Sequence, residues 1–486
     1  MARMKLLLLF ALLLPTIGAQ AQSGIRWSDP TRIAASSYGN QHPRIAYDRS
    51  NTPLVIWGRA GDESVFFSRW SGPSSADPIK ISGMLKIASA SWMGPQIASH
   101  GDTLYVVMKQ TPENSSNSHI YIVRSEDAGK TFSAPVRVDY IADSISRFPT
   151  VTCDSKGNPI VGFMKFDPSF RDSRWVVVSS TDLGRTFSKD VKASGWDGAK
   201  DVCDCCPGTM VSDQTMTAML YRNNNNDIRD IWMGLSQDNG LSFVKGLNVD
   251  NSNWEIPNCP ATGPDAVIVG DTLYTVFCSA PEGYNRTFLS RSSMKNNEHY
   301  ETVRLPQGPT GASQQNYPRI ASFGSAVGIV WKQNVMGVAQ LPLLFSGDVS
   351  RGFPEDFDTV DVADITSTDI AIGRESIAVC WEDPDTRTVG IRIGRFSLNP
   401  TSAADDIMRT TLTVYPNPST DQLTVHSDLP VGTTIYITNM LSQVCIHTAT
   451  SGQSTLIDIG SLSNGIYTVC MALATDLRCQ DIVVHR

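Results

Sequence analysis

A unit of about fifty residues recurs along the chain, and this repeat constrains the fold more than any other feature. Six copies open with a proline and a short apolar stretch, and a seventh copy opens without proline at Thr368-Asp369-Ile370. The six prolines are Pro43, Pro95, Pro149, Pro207, Pro260 and Pro318, which lie between 52 and 58 residues apart. Repeats of this length bury their apolar faces only against neighbouring copies, so the sequence predicts a repeat architecture.

Each unit contains several apolar runs of the length of a β-strand. In the second unit these runs lie at 95–97, 104–108, 120–123 and 135–138. Short continuous apolar runs are typical of strands buried on both faces, and four strands per unit predict a β-propeller blade. The seventh unit has three clear strands, and residues 25–33, before the first unit, have the pattern of a further strand. Pairing of this strand with the seventh unit would close the ring and remove exposed sheet edges. We therefore predict an all-β, seven-bladed propeller over residues 24–398, with a six-bladed ring as the alternative.

Composition and charge narrow the class of partner. The 486 residues include 40 basic and 48 acidic side chains, which gives a formal net charge of −8. No basic run is available to neutralise phosphates, so we predict no binding to nucleic acid. The hydrophobic share of 41% is large enough for a buried core and excludes wholesale disorder.

The N-terminal residues 1–21 have the pattern of a secretory signal peptide. Arg3 and Lys5 give a positive start, residues 6–14 are apolar, and Ala19-Gln20-Ala21 is a small-residue cleavage site. The apolar run is too short to cross a bilayer core of about 30 Å as a helix. No later segment is long and apolar enough to do so, and we predict a secreted protein without a transmembrane segment.

All ten cysteines follow the predicted signal peptide, so some disulfides are expected in an oxidising compartment. Cys203, Cys205 and Cys206 form a cluster, and Cys259 precedes a proline as Cys206 does in the neighbouring unit. One or two disulfides, a soft-metal site for copper(I) or zinc, and a redox role are all open interpretations of this cluster. The spacing matches no standard zinc pattern, so we assign no metal site and predict no cofactor.

Three units share the pattern Ser-x-Asp-x-Gly-x-Ser/Thr-Phe, at 125–132, 180–187 and 236–243. In a tight turn the aspartate accepts backbone amides, the glycine supplies a positive φ and the phenylalanine anchors the loop. The pattern resembles the Asp-box repeat of sialidases and related propellers. The resemblance implies a structural role, away from the ligand face, for Asp127, Gly129, Asp182, Gly184, Asp238 and Gly240.

The likeness to sialidases extends to candidate site residues between about 40 and 335. In that family a tyrosine attacks the anomeric carbon, an aspartate is the acid/base, and three arginines hold the substrate carboxylate. The resemblance implies Tyr317 as the nucleophile and Asp62 as the acid/base. It implies Arg44, Arg222 and Arg286 as the carboxylate-binding arginines.

The chain also departs from the sialidase pattern. The glutamate expected at the start of the fourth unit is replaced by residues 203–207, with Glu255 and Glu282 as candidate substitutes, and seven blades would break the family's sixfold ring. We therefore predict a secreted propeller that recognises an extracellular glycan or protein at its axial opening. The alternative is a retaining exo-sialidase-like hydrolase, and a third hypothesis is an adhesion protein that uses the propeller rim.

The sequence predicts a separate C-terminal domain. Residues 399–410 are a predicted linker, and residues 411–486 alternate like the strands of a small Ig-like β-sandwich. Tyr415-Pro416-Asn417-Pro418 near its start and Leu462-x-x-Gly465-Ile466-Tyr467 near its end resemble the C-terminal sorting domain of the Bacteroidetes type IX secretion system. The resemblance implies the type IX secretion machinery as a partner and a location outside the cell or at the outer cell surface.

Overall fold

The structure is a computed structural model, and it divides the chain into two compact units, Met1–Leu398 and Asn399–Arg486. It describes residues 24–35, 38–72, 77–141, 144–196, 201–308, 311–397, 413–427, 431–439, 444–472 and 477–485. The predicted signal peptide at 1–21 and the predicted linker at 399–410 lie outside the described residues. Among the described residues, no helix is long and apolar enough to cross a membrane.

The first unit is all-β, as predicted, and its described residues form seven antiparallel sheets and one 3-10 turn, Val349–Arg351. The first two sheets contain Asn40–Tyr47, Pro53–Arg59, Ser64–Arg69 and Ile79–Lys80, then Gln96–His100, Thr103–Lys109, Ile120–Ser125 and Val136–Arg137. The third and fourth contain Ile145–Cys153, Pro159–Phe166, Arg174–Ser179 and Val191–Lys192, then Asp201–Val202, Thr209–Asp213, Met216–Asn224, Ile231–Ser236 and Lys245–Asn248. The fifth and sixth contain Asp265–Val269, Thr272–Ser279, Arg286–Ser293 and Glu298–Arg304, then Ala312–Phe323, Ala326–Val335, Val338–Ser346 and Asp358–Asp361.

The seventh sheet joins the two ends of the first unit. It contains the late strands Thr368–Ile372, Ser376–Asp383 and Thr388–Arg395 and the early strands Arg26–Trp27 and Thr31–Ala35. Both early strands pair with Thr388–Arg395, and Trp27 lies opposite Gly394. The segment predicted to supply a missing strand therefore covers the edge that the last three strands would otherwise expose.

In each sheet, the strand with which the repeat unit begins lies nearest the centre of the ring, and we call it the inner strand. The inner strands are Asn40–Tyr47, Gln96–His100, Ile145–Cys153, Thr209–Asp213, Asp265–Val269, Ala312–Phe323 and Thr368–Ile372. Each inner strand contacts the inner strands of the sheets before and after it, and the seventh contacts the first. The inner strands therefore surround a common axis, and apolar clusters fill the spaces between neighbouring sheets. One such cluster joins Val107 and Ile122 of the second sheet to Val161 and Val176 of the third.

Three inner strands carry a bulge at the proline that marks the repeat. His42, Phe148 and Tyr317 each precede that proline and have positive φ values of 53°, 49° and 52°. The strand register shifts at each of these points, between residues 41 and 44, 147 and 150, and 316 and 319. A bulge bends its strand and changes the direction of nearby side chains. The bulges at these prolines therefore affect how side chains are oriented at the end of the ring where the inner strands begin. The predicted start of the fifth unit at Pro260 is wrong by four residues, because the fifth inner strand begins after Pro264.

The three Asp-box turns have the same internal hydrogen bonds. In the first, Ser125 Oγ donates to Asp127 Oδ1 at 2.8 Å, Gly129 N donates to Ser125 Oγ at 2.8 Å, and Thr131 N donates to Asp127 Oδ1 at 2.9 Å. The turns at Asp182 and Asp238 repeat this pattern. Gly129 has a φ of 84°, and a Cβ there would lie 2.1 Å from the Phe67 ring of the preceding sheet. The turn is thus both locally closed and packed on its neighbour.

The second unit consists of two sheets in its described residues. One contains Thr413–Tyr415, Gln422–His426 and Ser454–Asp458, and the other contains Thr434–Asn439, Val444–Ala449, Gly465–Ala472 and Leu477–Val484. Leu423 and Ile457 of the first sheet pack in one apolar core with Ile437 and Val469 of the second. The alternating sequence pattern therefore places one face of each sheet in a shared core.

Candidate functional site

A small cavity of about 50 Å³ lies at the end of the ring where the inner strands begin, and we call it the axial mouth. Its lining includes Arg44, Trp92, Gln96, Thr262, Tyr317 and Arg319. Two larger cavities, of about 800 and 710 Å³, lie at the ring-closing strands and around the turns at the opposite ends of the inner strands. None of the catalytic or arginine residues predicted from the sequence lines either of these larger cavities, so the axial mouth is the candidate site.

The inner strands carry buried charges just below the axial mouth. Arg319 Nε donates to Asp369 Oδ1 at 2.8 Å and lies 3.3 Å from Asp265 Oδ2. Each carboxylate also accepts a backbone amide of another inner strand, Asp369 from Ile45 and Asp265 from Ile320, both at 2.9 Å. Thr209 Oγ1 also donates to Asp265 Oδ1, at 3.2 Å. Arg319, Asp265 and Asp369 form the axial ion cluster, which links five neighbouring inner strands by hydrogen bonds and ion pairs.

Arg44 lies beside this cluster and has a different environment. Its Nη1 donates to Pro43 O at 2.7 Å and to Ser367 Oγ at 3.2 Å, and its Nε donates to Gln96 Oε1 at 3.2 Å. It forms no ion pair with any residue in the described part of the chain. Burial, followed by repulsion from Arg319, lowers the pKa of Arg44 to about 10. The guanidinium is charged at neutral pH and lacks a direct acidic partner.

Polar side chains of the first and seventh sheets hold Gln96 of the second sheet and the loop at Ser91 in position. Glu382 accepts hydrogen bonds from His42 N at 2.9 Å and Ser91 Oγ at 2.6 Å. The His42 ring lies 3.0 Å from Gln96 Nε2 and 3.2 Å from Ser91 O. Burial and the nearby Arg44 charge keep the pKa of His42 well below its usual value, so the ring is neutral near pH 7. This network fixes the side-chain amide that accepts from Arg44.

Tyr317, the predicted nucleophile, lines the axial mouth but lacks an activating partner. Its hydroxyl makes no hydrogen bond to a carboxylate among the described residues, and only its backbone amide donates, to Asn316 Oδ1 at 2.8 Å. Burial raises the pKa of Tyr317, and Cys278 and Glu382 raise it further. The phenol therefore stays protonated near neutral pH, whereas nucleophilic attack requires an activated oxygen.

Asp62, the predicted acid/base, does not line the axial mouth. It lies in the turn after the second strand of the first sheet and is ion-paired with Arg59. The hydrogen bond from Arg59 lowers the pKa of Asp62, although burial opposes the shift. The carboxyl group is thus held in its deprotonated form and has no proton to donate near pH 7.

The two other predicted arginines lie at the same end of the sheets but outside the cavity. Arg222, at the end of the second long strand of the fourth sheet, is fully buried and donates to three backbone carbonyls, of Thr262, Arg229 and Cys278, at 3.2, 2.6 and 2.7 Å. Arg286 begins the third strand of the fifth sheet and is buried, and its Nε has no hydrogen-bond partner. The structure therefore brings together Arg44 and Tyr317 but not Asp62, Arg222 or Arg286.

The residues 203–207 that replace the expected glutamate form a compact sulfur cluster with Cys259. Cys205 and Cys259 form a disulfide that joins the loops before the inner strands of the fourth and fifth sheets, with a Cα–Cα distance of 6.4 Å. Cys203 and Cys206 are buried beside it, and their sulfurs are 3.4 Å apart. A hydrogen bond with Cys206 and the nearby Arg229 lower the pKa of Cys203 to about 6, whereas burial raises the pKa of Cys206.

Several residues of the axial mouth and of the axial ion cluster were not predicted from the sequence. Arg319 occupies the position equivalent to Arg44, and the Pro-Arg-Ile triplet at 43–45 recurs at 318–320. Asp265 follows Pro264 in the same way, and Gln96 follows Pro95. The signal that could have identified them is thus the residue after each repeat proline, compared across units.

The all-β ring with Asp-box turns, bulged inner strands and polar groups at one axial end defines a β-propeller-like protein. Residues 68–329 match the model of the BNR repeat-like domain, which is more than half of the chain, so the chain belongs to that family. Residues 413–485 match the secretion system C-terminal sorting domain. The protein is therefore exported by type IX secretion to the cell surface or the exterior, and its tail interacts with the secretion machinery.

Solved structures with a similar chain trace have low sequence identity. A protein of unknown function from Dyadobacter fermentans DSM 18053 has a TM-score of 0.44 at 11% identity, over 77% of this chain and 100% of that one. An α-L-arabinanase from Penicillium chrysogenum complexed with arabinobiose has a TM-score of 0.42 at 11% identity, over 78% and 100%. Polysaccharide lyase Uly1 has a TM-score of 0.44 at 13% identity, over 75% and 91%. No curated protein matches the chain.

Proposed function

We propose that the chain is a secreted recognition protein that binds an anionic group of an extracellular ligand, such as an acidic glycan, at the axial mouth. In this proposal the seven sheets are the blades of a seven-bladed propeller spanning residues 24–398. Residues 1–21 are a signal peptide, residues 399–410 a linker, and residues 411–486 an Ig-like sorting domain. The ligand is presented to the propeller outside the cell or at its outer surface.

Arg44 carries this proposal. It is a buried guanidinium at a cavity wall and has hydrogen-bond partners but no carboxylate of its own. A buried charge without a directly paired opposite charge is costly, and a ligand carboxylate or sulfate would compensate it through short, charge-assisted hydrogen bonds. The cavity of about 50 Å³ has room for such a group but not for a whole sugar ring. The rest of the ligand would lie outside the cavity, against the rim near Trp92.

A protein that binds without cleavage fits the geometry better than a retaining hydrolase. Tyr317 has no carboxylate partner to activate it, and Asp62 is ion-paired and deprotonated. One observation favours the hydrolase as a second candidate, namely that Arg44 and Tyr317 line the same cavity. In that alternative the chain is a sialidase-like glycoside hydrolase with Tyr317 as its nucleophile.

A glycan array that contains neutral, uronate, sialylated and sulfated glycans tests the proposal on the full chain. We expect binding only to anionic glycans, and loss of at least about tenfold in affinity for Arg44→Met because its charge-assisted bonds are removed. Arg291→Met is the matched control, because Arg291 is exposed and its ion pair is with Glu301 on the outer part of the fifth sheet. Equal binding by Arg44→Met and the unchanged chain would contradict the proposal.

A fluorogenic sialoside assay separates the second candidate from the first. We expect no turnover by the full chain. Turnover that Tyr317→Phe abolishes would establish the hydrolase instead, and turnover that survives this substitution would remove Tyr317 as the nucleophile. Arg44→Met is measured in parallel, because both candidates require Arg44 and only the hydrolase requires the Tyr317 hydroxyl.

A further inference from the structure

Four cysteine sulfurs converge between the fourth and fifth sheets. They belong to Cys203, Cys205, Cys206 and Cys259, and all lie within 4.8 Å of one another. The Cys203 sulfur lies 3.8 Å from Cys205, 3.4 Å from Cys206 and 3.9 Å from Cys259, and Cys206 lies 3.8 Å from Cys259. A disulfide between Cys205 and Cys259 uses two of these sulfurs and leaves the two buried thiols without a role.

Four of the six sulfur–sulfur distances in the cluster are those of a tetrahedral single-ion site, and a fifth is the disulfide that must open for the site to form. Zinc binds cysteine sulfur at about 2.3 Å in tetrahedral geometry, so neighbouring sulfurs of a four-cysteine site lie about 3.8 Å apart. The four non-disulfide distances given above, from 3.4 to 3.9 Å, surround this value. A cluster of several metal ions would hold the sulfurs farther apart.

Two buried arginines provide the charge that such a site needs. A divalent cation with four thiolates has a net charge of −2, which is costly to bury without counter-charges. Arg229 Nη1 donates to Cys203 Sγ at 3.1 Å, and the rest of its guanidinium is held by the carbonyls of Ile256 and Pro257. Its Nη2 also lies 3.4 Å from the exposed carboxylate of Asp227, which solvent screens more than the buried sulfurs. Arg222 lies behind the cluster and is held by the carbonyls of Thr262 and Cys278. Thiols that served only as apolar packing would not need a guanidinium donor.

We propose that Cys203, Cys205, Cys206 and Cys259 bind one thiophilic divalent cation of the zinc class when the chain is reduced, in exclusive competition with the Cys205–Cys259 disulfide. Opening the disulfide takes two electrons and two protons from a dithiol reductant, which itself closes to a disulfide. Binding of the cation then releases the protons of those cluster cysteines that are still thiols. Either state joins the two loops that continue into Pro207, Gly208 and Thr262 at the wall of the axial mouth.

Metal binding by the full chain tests this proposal directly. The chain is reduced with a phosphine, which takes its oxygen from water to become the phosphine oxide while the two protons of that water go to the thiols. It is then titrated anaerobically with Co²⁺ alone and afterwards with Zn²⁺. We expect one Co²⁺ per chain with the intense visible absorption of a tetrahedral tetrathiolate, and its displacement by one Zn²⁺. The unreduced chain, with its disulfide intact, should not develop this absorption. Failure of the reduced chain to bind either ion would overturn the proposal.

Substitutions assign the ligands. Cys203→Ser and Cys206→Ser are expected to weaken Co²⁺ binding at least about tenfold and to change its spectrum, because each removes one thiolate. Cys445→Ser is the matched control, since Cys445 is exposed and lies in the second unit, and it should bind Co²⁺ as the unchanged chain does. Unchanged binding by Cys203→Ser and Cys206→Ser would refute the assignment.

Alkylation of the unsubstituted chain gives an answer that does not depend on whether variants fold. With Zn²⁺ present, peptide mapping after iodoacetamide treatment of the reduced chain should show protection of the four cluster cysteines, with Cys445 labelled equally in both samples. Labelling of the four cysteines that is unaffected by Zn²⁺ would also overturn the proposal. Glycan binding plays no part in these measurements, so their outcome is independent of the proposed ligand.

Discussion

The Asp-box turns and the axial ion cluster both depend on aspartates that accept backbone amides, but they stabilise the protein over different distances. Asp127 is partly exposed and takes its partners, Ser125 and Thr131, from within four residues. Asp265 and Asp369 are buried and take theirs from positions at least 50 residues away, including Arg319. The turns close single hairpins, whereas the cluster connects separate sheets around the axis.

This difference predicts how each region responds to mutation. Near the surface, water can replace a lost hydrogen bond or screen a lost charge, so removing one such interaction lowers the free energy of unfolding only a little. A buried carboxylate that loses its guanidinium partner is not reached by water, so its unpaired charge strongly destabilises the folded protein. The ring should therefore tolerate changes in its turns better than changes at its axis.

The largest effect is expected for Arg319→Met, which leaves Asp265 and Asp369 buried without their guanidinium. Breaking a buried ion pair by removing one partner costs about 3–5 kcal/mol in free energy of unfolding. Urea denaturation followed by tryptophan fluorescence measures this cost in the first unit alone, because all ten tryptophans lie between residues 27 and 381.

Arg291→Met is the control for Arg319→Met. Arg291 and Glu301 form an exposed ion pair on the fifth sheet, and its loss should cost less than about 1 kcal/mol. If the two variants unfold at the same urea concentration, the axial cluster does not hold the ring together and the contrast drawn above fails.

The same contrast decides what could be predicted from the sequence. Ser180, Asp182, Gly184 and Thr186 lie within eight residues, so their spacing alone predicts the turn that the structure contains. The repeat period likewise predicts the strands, because each hairpin is local. Such features depend on short-range geometry, and a pattern in the sequence contains all of the interacting groups.

The axial mouth could be predicted only in part. Arg44 and Tyr317 were found through a family likeness, whereas Arg319 was missed although it follows a repeat proline as Arg44 does. Whether a buried arginine faces a carboxylate, as Arg319 does, or a set of backbone carbonyls, as Arg222 does, depends on bulges and on neighbouring sheets. No local pattern contains those partners.

An intermediate effect is expected for Asp182→Ala, which removes the acceptor of the Thr186 amide, the Thr186 hydroxyl and the Ser180 hydroxyl. Losses of this kind at turns and caps cost about 1–2 kcal/mol. Thr186→Ser is the matched control, because the third Asp-box turn uses Ser242 at this position with the same hydrogen bonds, and it should unfold like the unchanged chain. A loss for Asp182→Ala as large as that for Arg319→Met would show that the turns are as important as the axis.

The smallest effect is expected from the acid titration of the turns. Hydrogen bonds from the Thr131 amide and hydroxyl lower the pKa of Asp127 to about 2, from 3.8 in the unfolded chain. A carboxyl group whose pKa is lowered by folding stabilises the protein above pH 3.8, and this stabilisation disappears as the pH falls from 3.8 towards 2.

Because the Asp127 carboxyl group is exposed, its share of the free energy of unfolding should be less than about 1 kcal/mol. Urea denaturation from pH 5 down to about pH 2, compared for the unchanged chain and Asp127→Asn, measures this share. The asparagine variant should lose less stability on acidification, since its side chain does not titrate. An identical pH dependence in the two proteins would mean that the turn carboxylates do not contribute to stability through their charge, and that only their hydrogen-bond geometry distinguishes them from the aspartates at the axis.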